Sequence, residues 1–359
     1  MSKVEELLAK YNSNGISTIK LADILDYEQP SKYIVSSSEY DDNYDIPVLT
    51  AGQSFILGYT DEKDGVYKAS KNNPTIIFDD FTTGHHWVDF DFKIKSSAMK
   101  MLRLKNNKSL LRYIFHSMAL INYVPTEHSR QWISKYSQFE IPLPHIKVQE
   151  EIVNILDSFT NLIDALNEEL SLRQKQFEYY REKLLTFDEE PTSIFKFTKV
   201  LRGKRLTTKE LSDNAKYPVY HGGTEPIGYY NEYNRDENTV MVINVGASAG
   251  TIGFCNQAFW SSDGCYCLSH NQKIDNKFLY YSLLIREYKI KSQVRYAGIP
   301  TLDQKVIENI QLFIPSLAIQ QSIVEKLDAF ESLISSLKEE IALRQKQYEY
   351  YREKLLTFN

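Results

Sequence analysis

The chain has 359 residues and a net charge of −5, with 42% hydrophobic and 25% charged residues, a globular composition long enough for two or more domains. No apolar run reaches the roughly 18 residues of a membrane span, and the N-terminal MSKVEELLAKYNSNG carries two Glu and no apolar core, which excludes a secretory signal. Cys255, Cys265 and Cys267 cannot all pair, so a reducing, cytoplasmic setting is the simple expectation. Residues 1–15 read as a short amphipathic helix with Val4, Leu7 and Leu8 on one side, ended by Asn14-Gly15. Residues 46–49 (IPVL) and 75–78 (TIIF) read as short buried strands, with turn signals at Ala51-Gly52 and Leu57-Gly58-Tyr59 between them. Residues 78–83 (FDDFTT) lead into Gly84 and a loop bearing His85, His86 and Trp87. Residues 108–120 have helical periodicity through Leu111, Ile114, Phe115 and Met118. Pro142 and Pro144 then precede a long helix.

The acidic segment 188–192 (DEEPT) ends that helix, and the plan starts again. Tyr217-Pro218-Val219 answers Ile46-Pro47-Val48, Gly222-Gly223 answers Ala51-Gly52, and Ile227-Gly228-Tyr229 answers Leu57-Gly58-Tyr59. Residues 239–243 (TVMVI) answer the Thr75 strand. Asn276-Lys277 with Leu279 answers Asn107-Lys108 with Leu110, and Pro315 precedes a second long helix. The helices are nearly the same sequence. Residues 172–187 (LRQKQFEYYREKLLTF) and 343–358 (LRQKQYEYYREKLLTF) differ only at Phe177 and Tyr348. The match from Pro144 and Pro315 onward holds 27 identities in 44 positions. A long-period repeat sets the architecture.

From Val148 to Phe187 and from Ile319 to Phe358 the two copies lack Gly and Pro and are rich in Leu, Glu, Lys, Gln and Arg, strong helix formers. Apolar residues recur at alternating steps of four and three: Ile152, Leu156, Phe159, Ile163, Leu166, Leu170, Phe177, Tyr180 and Leu184, then Ile323, Leu327, Phe330, Ile334, Leu337, Ile341, Tyr348, Tyr351 and Leu355. That is a coiled-coil seam, interrupted at the same position by Arg173 and Arg344. A helix of this length, roughly 60 Å at about 1.5 Å per residue, needs a partner along its stripe. The other copy is the nearest, in an intramolecular antiparallel pair; pairing with a second chain is the alternative.

The net charge hides segregation. Residues 93–135 hold nine Lys or Arg and one acid, Glu127. Residues 196–209 hold six cations (Lys196, Lys199, Arg202, Lys204, Arg205, Lys209) and no acid, whereas residues 21–92 hold 14 Asp or Glu against four Lys. Basic clusters of this kind can form a nucleic-acid face on an acidic protein. No catalytic constellation accompanies them. The Asn-Pro-Pro-Tyr loop of adenine methyltransferases is absent, as is a phosphate-binding P-loop, and Gly246, Gly250 and Gly253 do not fit dinucleotide spacing. His85 and His86, near Asp79, Asp80 and Asp89, could suggest a metal. Cys255, Cys265, Cys267 and His270 could suggest zinc, but their spacing fits no common closed site. Buried thiols and a recognition loop are the expected roles, and no metal is assigned.

At this point the chain resembles the specificity subunit of type I restriction–modification systems. The resemblance rests on the twin LRQKQ(F/Y)EYYREKLLTF helices and on the segments IPLPHIKVQEEI and LFIPSLAIQQSI that lead into them. It rests also on YDIPVLTAGQSFILGYT, FDDFTTGHHWVDFDF and YPVYHGGTEPIGYY, which look like target recognition domains. It implies an α+β protein with two duplicated mixed α/β recognition domains, residues 1–143 and 189–314. Between and after them run long spacer helices, 144–188 and 315–359, forming an intramolecular antiparallel coiled coil. It implies that the chain is not an enzyme. One domain reads each half of a bipartite double-stranded DNA target, and the helices dock two methyltransferase (modification) subunits. Restriction–translocase subunits join that core. S-adenosylmethionine, ATP and Mg²⁺ then belong to the partners. A self-contained methyltransferase or nuclease, or a coiled-coil adaptor without a DNA role, is the alternative. The family's DNA contacts vary with target, so contacts are assigned from loops and charge alone: Gln53, Ser54, Thr82, Thr83, His85, His86, Lys93, Lys95, Lys100 and Lys105 in the first half, and Lys199, Arg202, Lys204, Arg205, His221, Thr224, Ser248, Thr251 and Arg295 in the second.

Overall fold

The computed structural model describes residues 2–50, 55–188 and 190–358. Its organising helices are α1 (Lys3–Tyr11), α2 (Leu111–Met118), α3 (Ile146–Leu185), α4 (Asn276–Leu284) and α5 (Leu317–Leu356). Two compact units emerge: Met1–Ala165 with Ile341–Asn359, and Leu166–Glu340. They differ from the four linear segments expected, because each unit takes part of both long helices.

The first unit contains β1 (Ser17–Lys20), β2 (Leu25–Glu28), β3 (Ile46–Leu49), β4 (Ile56–Thr60), β5 (Thr75–Asp79), β6 (His85–Val88), β7 (Lys93–Ile94), β8 (Met99–Leu104) and β9 (Glu140–Leu143). A four-stranded antiparallel sheet runs β2-β8-β5-β6. A three-stranded sheet runs β4-β3-β7, with β3 and β7 parallel, and β1 pairs with β9. Every residue of β5 is buried, which requires cover on both faces of the sheet. Ile76 and Phe78 face a cluster with Ile114, Trp132, Ile152 and Leu156. Ile77 lies in a second cluster with Leu49, Tyr67, Phe92 and Met101, the alternation a strand imposes. His85 to Val88, expected as a loop, is the edge strand β6, paired with β5 from Thr75 to Phe78.

The second unit repeats this topology strand for strand. Its strands are β10 (Thr192–Ser193), β11 (Thr198–Arg202), β12 (Tyr217–Tyr220), β13 (Gly228–Tyr230), β14 (Thr239–Ile243), β15 (Ile252–Cys255), β16 (Trp260–Ser261), β17 (Cys265–His270) and β18 (Gln311–Leu312). The sheets run β11-β17-β14-β15 and β13-β12-β16, with β10 on β18. Val240 and Val242 face the helices, Met241 and Ile243 the opposite cluster. The three thiols are buried in β15 and β17, as expected.

In each unit the beginning of one long helix meets the end of the other, which is the antiparallel pairing expected. In the first unit Phe159 stacks on Tyr351 with ring centroids 5.3 Å apart, and Leu156 is fully buried beside Tyr348 and Leu356. In the second, Tyr180 stacks on Phe330 at 5.5 Å, and Leu327 is fully buried with Leu185. Ile163, Leu166, Leu170, Phe177, Leu184, Ile334, Leu337, Ile341 and Leu355 are half-buried seam positions. Arg173 leans along its own helix to Glu169 (3.0 Å) and Gln176 (2.9 Å), and Arg344 to Gln347 (2.9 Å). At the helix ends the burial moves from Leu184 and Leu355 to their neighbours Leu185 and Leu356, because the globular cores pack there against a second stripe.

α1 belongs to the first unit alone. Ser2 and Glu5 close it with a reciprocal capping box, and Tyr11 stacks on His145 at 4.4 Å. The registers of α2 and α4 differ from the sequence reading. The N–H groups of their capping residues, Leu110 and Asp275, both donate to equivalent glutamines, Gln149 (3.0 Å) and Gln320 (2.8 Å). Arg112 therefore matches Lys277 and His116 matches Tyr281; Asn107-Lys108 does not match Asn276-Lys277.

Candidate nucleic-acid interface

Both units gather loops at one end of the four-stranded sheet. In the second unit, residues 221–224, 245–251, 262–264 and 295–301 converge. The Gly264 N–H donates to His221 Nδ1 at 3.2 Å, the Asn244 N–H to the Gly264 carbonyl at 3.2 Å, and the Gly246 N–H to the Pro300 carbonyl at 2.9 Å. A Cβ on Gly264 would lie 2.8 Å from both His221 Nδ1 and a Val245 methyl, so only glycine permits this junction. Gly246 at φ +90° makes the neighbouring turn.

Of the residues expected here, His221, Ser248, Thr251 and Arg295 lie on these loops, and Thr224 sits 3.3 Å from the space a Gly253 side chain would fill. The basic cluster divides. Arg202 donates to Gln304 at 3.1 Å. Lys204 is tied to β16 by its N–H to the Ser261 carbonyl (2.9 Å) and by its carbonyl, which accepts from the Trp260 indole (2.7 Å). Arg202, Lys204 and Arg205 are exposed at the loop end. Lys199 is exposed further back along β11, opposite Ser269, and is not brought to the loops.

In the first unit the same junction is drawn by Asp80. Its N–H donates to the Ala98 carbonyl, and its carbonyl accepts from the Gln131 N–H, both at 2.8 Å. Thr82 is exposed and its hydroxyl donates to Asp79 at 2.6 Å; Thr83 is buried with φ +63°. Phe55 stacks on His86 at 4.3 Å and Phe81 on His128 at 4.6 Å. Gln53 and Ser54, expected on this face, lie outside the described residues. Lys95 is half-exposed and donates to Ser38 at 2.9 Å.

Four expected contacts of the first unit are placed elsewhere. Lys93 is buried, with its ammonium on Glu62 (2.8 Å) and the Asp64 carbonyl (2.6 Å). Lys100 is fully buried against Asp80 at 3.0 Å. Neither can reach a phosphate, because partnered, desolvated ammoniums serve the fold. Lys105 is exposed but lies past the far end of β8, donating to the Ala22 carbonyl at 2.6 Å. His85 turns with Trp87 toward Phe115 of α2, away from His86 as alternate strand residues must. Burial holds the His85 imidazole down at about 4, and burial lowers His86 as well. Both are neutral near pH 7 and add no charge for a phosphate. Asp79 and Asp80 are occupied by the turn and by Lys100. No group of three His, Cys, Asp or Glu able to hold a metal occurs among the described residues.

One segment was only partly reached from the sequence, which assigned Arg295 but none of its neighbours. Residues 286–299 (REYKIKSQVRYAGI) run from a short helix, Glu287–Lys291, beside Gly250 into the 295–301 loop. Tyr288, Tyr296 and Ile299 are 85%, 73% and 69% exposed, far more than the core-building aromatics, and Lys289 and Arg295 stand between them. The interleaving of cations with aromatics was the available signal. In the first unit Val124 and Ile133 are bare apolar residues outside the long helices, at 76% and 59% exposed.

Two copies of one sheet-and-loop domain, each ending on a long helix of nearly the same sequence, define an internally duplicated protein with two matched sets of loops. Residues 14–172 and 192–343 match the model of the type I restriction modification DNA specificity domain, and the chain belongs to that family, as a non-catalytic specificity subunit of a type I restriction–modification complex. A type I restriction enzyme specificity subunit of Escherichia coli is 37% identical over 401 aligned positions that cover 100% of this chain and 97% of the relative. The crystal structure of a type I restriction–modification S subunit from M. genitalium superposes with a TM-score of 0.71 at 19% identity, over 95% of this chain and 96% of that one, a likeness of fold. No helix among the described residues is long and apolar enough to cross a membrane.

Proposed function

We propose that each unit reads one half of a bipartite duplex target through its converged loops, and that two copies of one modification subunit dock on the long helices. Restriction–translocase subunits would join that core, in the cytoplasm. S-adenosylmethionine would be used by the modification subunits, ATP and Mg²⁺ by the restriction subunits; this chain supplies recognition and geometry. One observation carries the docking reading. Equivalent apolar residues stay bare to the same degree on both helices: Leu172 and Leu343 at 60% and 61%, Tyr179 and Tyr350 at 58% and 59%. Two matched apolar patches fit two copies of one partner.

The test is single-molecule methylome sequencing of a host expressing this chain with its modification subunit. N6-methyladenine in one bipartite motif with a fixed gap, lost when the chain is deleted, is expected. A continuous motif, or no chain-dependent methylation by a verified complex, would overturn the reading. Within that system Arg295→Ala with Tyr296→Ala is expected to weaken binding about 10- to 100-fold, the loss of about one base contact. The loss should depend on the sequence of one half-site only, measured with duplexes altered in either half. Equal loss on both would remove these residues from readout.

A further inference from the structure

The repeated helix ends differ at a single position in sixteen, and the globular halves differ where that position lands. In the first unit His116 on α2 is fully buried. Its Nε2 lies 2.9 Å from Asp157 and its Nδ1 3.0 Å from the Tyr348 hydroxyl. Arg112 donates to the same Asp157 oxygen at 2.7 Å. Burial pushes the Asp157 carboxyl up, but hydrogen bonds from His116 and Arg112 outweigh it and hold the group ionised. An ionised carboxylate only accepts, so Nε2 carries the proton and Nδ1 needs a donor, which Tyr348 provides. In the second unit the same places hold Lys277, Tyr281, Asp328 and Phe177. Tyr281 is fully buried and directs its hydroxyl to Asp328 at 2.5 Å. Phe177 meets it ring to ring, centroids 6.3 Å apart, and no hydroxyl is called for.

We propose that His116 and Tyr281 decide which copy of the repeated helix end each globular half accepts, His116 selecting Tyr348 and Tyr281 selecting Phe177. The partner each fits is chemically distinct: a hydroxyl donor for the first half, a bare ring for the second. Phenylalanine at 348, as would be presented by the helix end of the other half or of a second copy, leaves a buried imidazole nitrogen unmet, which costs more than the hydrogen bond contributed. The rest of the helix end offers no discrimination, since its residues are the same in both copies.

The test is a double-mutant cycle in the full-length chain, read by native-state hydrogen exchange of the last two turns of α5. Tyr348→Phe and His116→Tyr are each expected to lower protection there roughly tenfold. The double variant, which rebuilds the Tyr281–Phe177 pair with the introduced phenol donating to Asp157, is expected to recover most of it. The reciprocal cycle, Tyr281→His with Phe177→Tyr, is read at the end of α3 and remains informative if His116→Tyr fails to fold. Additive losses in both cycles would overturn the proposal, as would unchanged protection in Tyr348→Phe.

Discussion

Replacing Lys100 with alanine is expected to destabilise the first unit by about 3–5 kcal/mol, the cost of leaving a buried charge without its partner. Lys100 and Asp80 are both fully buried, 3.0 Å apart. Asp80 cannot simply be released to water, because its other oxygen accepts the Trp132 N–H at 2.7 Å and its backbone holds Ala98 and Gln131. Set against the roughly 5–15 kcal/mol of an ordinary domain, this is a large share. The damage would reach function, since Asp80 ties together the loops proposed to read DNA. The neutral pair Lys100→Met with Asp80→Asn keeps the acceptor for Trp132 and is expected to recover most of the loss. In the second unit the place of Asp80 is taken by the neutral Asn244, whose amide donates to the Asp263 carbonyl at 3.3 Å. Urea unfolding of the two variants decides it. A loss below about 1 kcal/mol for Lys100→Ala would mean that water reaches the carboxylate.

The same pair shows where sequence reading stopped. Lys93, Lys100 and Lys105 stand in a cation-rich run, and a sequence records how many charges a strand carries but not which are walled in. Whether Lys100 faces solvent depends on β8 lying between β2 and β5, a register set by contacts far apart in the chain. The duplication was legible because it is written in residue identity, and the helices because their apolar period, broken only at Arg173 and Arg344, runs the length of helices of 40 residues. The strands of two to six residues gave too little period to reveal a four-stranded and a three-stranded sheet. His85 and His86 looked like a loop for the same reason: a four-residue edge strand has no signature of its own. Their separation onto opposite faces then divided a pair that sequence had joined. The division of each long helix between two units was likewise invisible, since it depends on which core each end meets.

Leu172→Asp with Tyr179→Ala is expected to remove one modification subunit from the complex and leave the other bound. Both residues lie on the outer face of α3, seven positions apart and so nearly in line along the helix, and neither belongs to a core cluster. Surface substitutions of this kind shift folding by about 0.5 kcal/mol or less, so the chain should stay intact. At a docking site the arithmetic differs. Burying a leucine contributes about 1.5–3 kcal/mol, a central tyrosine about 2 kcal/mol or more, and a carboxylate placed in the contact opposes association further. Together they amount to a loss on the order of a thousandfold, enough to empty one site at micromolar concentrations. Leu343→Asp with Tyr350→Ala should empty the matching site on α5, and the four changes combined should leave the chain alone. Native mass spectrometry reads the ratio directly. Half-occupied complexes from either pair, differing in which DNA strand is methylated, would tie each helix to one partner. Full occupancy in both variants would mean that the bare residues on the twin helices serve something other than the modification subunits.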